Sequence, residues 1–349
     1  MKHYFPEQAV PCIADSAFDR ILSYLHRIEY LVHDLRLINY SLFGTANGLS
    51  SKTNYKRYEL QDEFLALIQR VEELCELYPS GCFPVPILSF MASVNRMYED
   101  FYFSDEDYLT DEMLNRCIED IHLNLKDPPI RRKLYALEEQ VNDRNNSSKK
   151  LINSLFDQHG RILALRLDFG YRLDRQYSLP YVCIHRERLI RLISTRGQKI
   201  GDALLDYIWK LEYGFDKSYH LHMLILLDGN QLQGDVVLAQ RIGECWNNDI
   251  TGGDGIYFNC NAIKDRYKKL GIGKIEYDDI EKRHHLIEEC ANYLTKHDYY
   301  MPIVKVMEAE IVRRYGDHRL YNELLGKRGF GTSRTKQGEG KKRGRTRSR

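Results

Sequence analysis

Apolar and polar residues follow two different patterns along the chain. Over 15–41 apolar side chains recur at helical spacing, from Phe18, Ile21, Leu22 and Leu25 to Leu35 and Ile38. Asp15 or Ser16 can cap the start of this helix, and Gly44 follows its end. The same reading predicts helices over 58–77, stopped by Pro79, and over 87–102, after Pro84 and Pro86. Two more are predicted over 110–125, ahead of Pro128-Pro129, and over 131–141. Catalytic residue types are not concentrated in this half, so 1–141 reads as an accessory or oligomerising helical domain. The polar run Asn142-Asp143-Arg144-Asn145-Asn146-Ser147-Ser148-Lys149-Lys150 then predicts a linker over 142–150.

Beyond that run the period changes. Polar and apolar residues alternate over 161–169, which predicts a strand. Helix-like sequence follows over 187–194, with a helix or helix-to-strand transition over 200–207. Strands are predicted over 207–214 and 219–228, joined by the short turn Gly214-Phe215-Asp216-Lys217. A helix over 234–247 precedes a Gly-rich, irregular stretch over 251–277, and a last helix covers 279–297. This order predicts an α+β domain over 151–315: an antiparallel sheet with helices on one face, preceded by the all-α domain.

Composition narrows the class. An apolar fraction of 43% and a charged fraction of 29% fit a soluble globular chain. The apolar run around Leu224 is far shorter than the roughly 20 residues needed to cross a bilayer. Met1-Lys2-His3-Tyr4-Phe5-Pro6 lacks the apolar core of a signal peptide. Eight scattered cysteines without a C-x-x-C pair argue against a zinc ribbon or a disulfide scaffold and fit a reducing cytoplasm. The net charge of +1 conceals an asymmetry. Residues 327–349 carry ten Lys/Arg and one Glu, a net +9, which leaves −8 for the rest. Such a tail predicts a disordered, phosphate-binding arm in which Lys341, Lys342, Arg343, Arg345 and Arg347 meet nucleic acid, or else a solvated tail that only aids solubility. Gly271-Ile272-Gly273-Lys274-Ile275 lacks the first glycine and the final Ser/Thr of a P-loop, so the sequence makes no case for an ATPase or helicase.

Three features carry candidate chemistry. His220 and His222 lie two apart at the mouth of an apolar run, so both point to one face of the strand while Leu221, Met223 and Ile225 point to the other. Paired imidazoles can bind a divalent metal, though such pairs also occur incidentally on strand surfaces. Glu212 sits at the end of the preceding strand, and the hairpin would bring it beside the histidines. Two imidazoles and one carboxylate can hold Mg²⁺ or Mn²⁺, and equally zinc or iron; the plainer reading of Glu212 is an exposed residue paired with a lysine. Third, Tyr293 and Lys296 in Asn292-Tyr293-Leu294-Thr295-Lys296 are three apart and share a helix face. A core tyrosine with a snorkelling lysine would give the same spacing.

Together the three resemble the HUH endonucleases, which include the rolling-circle replication initiators. That family carries His-hydrophobe-His before an apolar run, as in His220-Leu221-His222-Met223-Leu224, and a later helical Tyr-x-x-Lys, as in Tyr293-Leu294-Thr295-Lys296. Several viral initiators have a glutamate eight residues before the first histidine, the spacing of Glu212 to His220. Leu163-Ala164-Leu165-Arg166-Leu167 fits the family's loosely defined first motif. The chain is also similar to inovirus-type replication proteins of prophages, the YagK/YfjJ C-terminal-domain family. That likeness is carried by Trp209-Lys210-Leu211-Glu212-Tyr213-Gly214, Tyr219-His220-Leu221-His222 and Ala291-Asn292-Tyr293-Leu294-Thr295-Lys296.

The resemblance implies an HUH-like (RRM/ferredoxin-like) sheet and nicking and rejoining of single-stranded DNA at a replication origin. Tyr293 would attack a phosphodiester to leave a 5′-phosphotyrosine and a free 3′-OH. His220, His222 and Glu212 would hold Mg²⁺ or Mn²⁺, and Lys296 would stabilise or position the phosphate. Host helicase and polymerase are the implied partners; no membrane is involved, and an oligomer is compatible with the helical domain. Some initiators place a second tyrosine a turn after the first. Here that position is His297, with Tyr299 and Tyr300 at the wrong spacing, so a single-tyrosine enzyme is expected. Two alternatives stay open. One is a non-catalytic prophage regulator binding DNA through the sheet, the tail, Tyr213 and Tyr219; the other is a relaxase or transposase of the same chemistry. Lys296, where the single-strand transposases carry Gln, weighs against the transposase.

Overall fold

The computed structural model describes residues 16–45, 50–77, 83–175, 177–214, 218–296, 300–314 and 316–333. They form two compact units, one from Ala14–Glu139 with Pro302–Leu325, the other from Gln140–Met301 with the residues from Gly326.

The first unit is helical, as the apolar spacing requires. Its helices are α1 (Ser16–Leu35), α2 (Ser51–Ile68), α3 (Val71–Leu77), α4 (Val85–Tyr102) and α5 (Asp111–Lys126), with the first turns of α6 (Pro128–Phe156). Ser50 and Thr110 cap α2 and α5 by accepting from the backbone N–H of Thr53 and Met113, each at 3.2 Å. The single helix expected over 58–77 is instead two, broken at Gln69-Arg70. Leu67, Ile68, Val71 and Leu74 are all buried across the break, so the apolar period runs on and hides it. Phe64 sits centrally, edge-on to Phe43 and Phe90. Helices α12 (Tyr300–Arg314) and α13 (His318–Gly326) come late in the chain, before its last strand, and Pro302–Leu325 belongs to this helical unit rather than to the sheet domain expected to run to 315.

The second unit is built on a six-stranded antiparallel sheet. Its strands are β1 (Arg161–Tyr171), β2 (Leu204–Gly214), β3 (Ser218–Asp228), β4 (Gly255–Asn259), β5 (Gly273–Glu276) and β6 (Phe330–Thr332). The order is β4-β1-β3-β2-β6, with β5 sharing the β4 edge of β1. Between strands lie α7 (Leu179–Ser194), α8 (Lys199–Ala203), α9 (Asp235–Cys245), α10 (Ile280–His285) and α11 (Asn292–Thr295). The α+β class expected from sequence holds. The helices, however, cover both faces and not one. On one face Ile162, Ala164, Ile208, Leu224 and Leu226 pack with Ile152, Leu155 and Phe156 of α6, and with Leu286 and Leu294. On the other, Phe169 and Tyr171 meet Trp246, and Trp209 lies under the Arg186 guanidinium of α7 at 4.3 Å. Side chains two apart share a face, and in the middle of β1, β2 and β3 both sets of alternate residues are apolar, so both faces need a cover.

Three further differences bear on function. Residues 142–150, expected as a linker, are helical: α6 runs through them without a break. Their polar side chains are mostly exposed, but Ser148 is fully buried, and the helix continues into the apolar Leu151, Ile152 and Leu155. The stretch 251–277 is not irregular. It holds β4 and β5, too short to show alternation and stabilised by pairing to β1. Phe330–Thr332, expected to fall within a disordered tail, instead pair with β2. Lys341, Lys342, Arg343, Arg345 and Arg347 lie outside the described residues, as do His297 and Tyr299. Among the described residues no helix is long and apolar enough to cross a membrane.

Candidate metal centre and tyrosine

The hairpin of β2 and β3 pairs Glu212 directly with His220 and Lys210 with His222. On the far side of β3, Asp168 of β1 pairs with His222. Directly paired residues share a face, so Glu212, His220, Lys210, His222, Asp168 and Arg166 all rise from the face whose other end is the apolar core under α6. Polar side chains take over where that cover stops.

Glu212, His220 and His222 each offer a ligand atom, and these atoms lie within 4.8 Å of one another. Glu212 Oε2 is 3.0 Å from His222 Nε2 and 3.3 Å from His220 Nε2. The tautomer of His220 follows from its other nitrogen. Nδ1 is 3.1 Å from the carbonyl oxygen of Ser218, which can only accept, so Nδ1 carries a proton; Nε2 faces Glu212, donating to it when it too is protonated and offering its lone pair to a metal when it is not. Two imidazole nitrogens and a carboxylate suit a divalent cation and leave room for other oxygens. The residues therefore fit a metal.

Three residues not singled out from sequence complete the cluster. Asp168 Oδ1 lies 2.6 Å from His222 Nδ1, close but poorly aligned, since that nitrogen has no well-formed hydrogen bond. The arrangement matches the carboxylate behind a metal-bound histidine that fixes its ring and tautomer. Arg166 donates to Asp168 at 3.0 Å, and Lys210 pairs with the outer oxygen Oε1 of Glu212. Burial would raise the Glu212 pKa, but hydrogen bonds from His220, His222 and Lys210 outweigh it and hold the carboxylate far below its usual range. Burial lowers the His222 pKa, and the carboxylates of Asp168 and Glu212 close to its two ring nitrogens more than reverse that. A signal for these residues existed in the sequence: Arg166 and Asp168 two apart within the otherwise apolar β1, and Lys210 two before Glu212. Asp168→Asn is expected to weaken Mn²⁺ binding about 10–100-fold, read by calorimetric titration.

Tyr293 stands over this cluster. Its ring is edge-on to that of His222 with centroids 5.6 Å apart, and the Arg166 guanidinium lies 5.0 Å from its centroid. It is 40% exposed, whereas the next residue, Leu294, is in the core. Burial raises the phenol pKa, and the Glu212 charge adds to this, so the hydroxyl is protonated at neutral pH. Lys296 is one residue beyond α11, with its backbone extended, and its ammonium is 5.6 Å from the Tyr293 ring. The two residues expected on one helix face are thus near each other although the helix ends between them.

The helix of Tyr293 is held from two sides. From α6, Asn145 accepts a hydrogen bond from the buried Thr295 hydroxyl, and Lys149 lies 3.9 Å from Glu288. A π-helical turn, Leu286–Ala291, precedes α11, so the face expected for Leu286, Cys290 and Tyr293 is rotated from ordinary helical spacing. Gly271 packs against the start of that turn. A Cβ there would stand 2.4 Å from the carbonyl carbon of His285 and the nitrogen of Leu286. Gly271→Ala must therefore shift backbone, and thermal melting is expected to register a loss of about 1–3 kcal/mol. Tyr219, a candidate DNA contact in the regulator reading, is instead buried edge-on against Tyr213.

Residues 130–300 match the YagK/YfjJ C-terminal domain. This match supports the YagK/YfjJ C-terminal-domain part of the expected resemblance, and the matched segment contains every residue of the cluster. No curated protein and no solved structure matches the chain.

Proposed function

We propose that the protein nicks and rejoins single-stranded DNA through a 5′-phosphotyrosine on Tyr293, with a divalent metal at Glu212, His220 and His222, and so initiates rolling-circle replication of phage or prophage DNA. The observation that carries this reading is the tyrosine ring 5.6 Å from the ring of a candidate ligand, His222, over a cluster able to hold a metal. When bound, Mg²⁺ or Mn²⁺ would polarise the scissile phosphate and ease attack by a weak nucleophile.

The chain's own residues then have separable roles. Tyr293 Oη forms the bond to phosphorus as the bond from phosphorus to the 3′ oxygen breaks. The phenolic proton is lost and the departing 3′ oxygen gains one, so one phosphodiester replaces another and no nucleotide cofactor is needed. The guanidinium of Arg166, over the Tyr293 ring, and the ammonium of Lys296 are cations positioned to oppose charge gathering on the phosphate. Asp168 orients His222.

A second reading has its own observation. Lys210 already neutralises Glu212, so the carboxylate is paired without any metal, a pairing that a DNA-binding regulator of the same fold would retain. The deciding experiment incubates the protein with single-stranded oligonucleotides tiled across its own element's intergenic region, in Mn²⁺ or EDTA. A metal-dependent band that survives SDS supports nicking. Binding to some tile with no covalent band in any metal favours the regulator.

A further inference from the structure

Beside the metal centre lies a cavity of about 480 Å³ that shares Arg166, Asp168 and Tyr293 with it. Its far wall is the segment from Tyr267 to Ile272, and its third wall carries Glu289 and Cys290. We propose that this cavity takes the unpaired nucleobase adjoining the scissile phosphate, so that the protein reads one nucleotide beside the bond it cuts. The proposal rests on the nicking reading and adds to it a base-specific subsite.

Size, polarity and charge agree on that occupant. The volume lies within the range of small-molecule pockets, roughly 300–1,000 Å³, and exceeds what an amino-acid side chain needs. Cys260, Ile272 and Cys290 supply apolar wall, and burial pushes both thiols up to about 11, which keeps the sulfurs neutral. Two aromatic rings, Tyr267 and Tyr293, line the space, and each is 40% exposed. A planar base can stack on such a ring whatever its identity, while the polar edges of the cavity can discriminate among bases. The charged lining consists of Arg166, Lys268 and Lys269 against Asp168 and Glu289, a net of one positive charge facing a ligand with one phosphate. Lys269 and Glu289 pair at 2.6 Å and tie the two walls together.

At Gly271 the wall that holds Tyr267 meets the start of the π-helical turn that leads into the helix of Tyr293. A base seated between them would fix the position of the phosphate attached to it relative to the tyrosine, which is what an in-line attack needs.

The test uses the full chain in EDTA, so that binding is read without cleavage. Oligonucleotides from the bound tile carry a single abasic site, moved one position at a time. One position is expected to cost about tenfold in affinity in the wild type and nothing further in Tyr267→Ala. Tyr267→Phe keeps the ring and should keep the wild-type pattern, which separates stacking from a folding defect. Equal losses for intact and abasic oligonucleotides in Tyr267→Ala, or no abasic position that depends on Tyr267, would overturn the proposal. A covalent band with no Tyr267-dependent position sinks the subsite and spares the nicking reading. A Tyr267-dependent position with no covalent band supports the subsite and sinks the nicking reading.

Discussion

Tyr293→Phe is expected to abolish the covalent adduct and to lower cleavage by on the order of 10⁴-fold or more, to background, while binding of the same oligonucleotide changes little. The substitution removes one oxygen. The ring remains against His222 and under Arg166, so the geometry of the face should survive. The checks are a denaturing gel for the adduct and a mobility shift for binding. An adduct formed by the variant would show that another residue attacks. Loss of binding together with cleavage would mean that the hydroxyl positions DNA instead of reacting with it.

Glu212→Gln should lower metal-dependent cleavage by more than about 100-fold and weaken Mn²⁺ binding, because it removes the only anion among the three candidate ligands. The amide is the informative replacement. Lys210 is buried and pairs with Glu212, so Glu212→Ala would leave a buried ammonium unpaired at a cost of about 3–5 kcal/mol and confuse loss of metal with loss of fold. The amide oxygen of glutamine can still accept from Lys210. Cleavage that stays at wild-type level in Glu212→Gln, with an unchanged melting temperature, would remove the carboxylate from the metal site.

The hairpin was readable because its information is local. Two histidines two apart share a face whatever surrounds them, and pairing of two strands adjacent in sequence sets Glu212 opposite His220. Tyr293 was readable only through resemblance, since helical spacing alone fits a core tyrosine equally well. Asp168 escaped because its role depends on which strand lies beside β3. That neighbour is β1, more than fifty residues earlier, and no local pattern announces the pairing. The strands β4 and β5 escaped for a related reason: each is an edge segment whose partner, β1, supplies the order that its own few residues cannot. Helices on both faces follow from apolar residues at consecutive positions in β1 and β3, such as Leu163 to Leu165 and Leu224 to Leu227. A continuous apolar run of this kind signals burial on both sides and is visible once one looks past the alternation.

The polar stretch 142–150 is the place a sequence reader would choose for cutting the chain in two or for splicing in a tag. Asn145 and Lys149 within it are struts for the segment that bears Tyr293. A fragment begun at 151 would keep every candidate ligand, the tyrosine and the sheet, yet release the Thr295 hydroxyl from Asn145, two residues along the chain from Tyr293. Such a fragment would retain the parts list of the proposed site while loosening its aim, and a fragment begun near 140 would retain both.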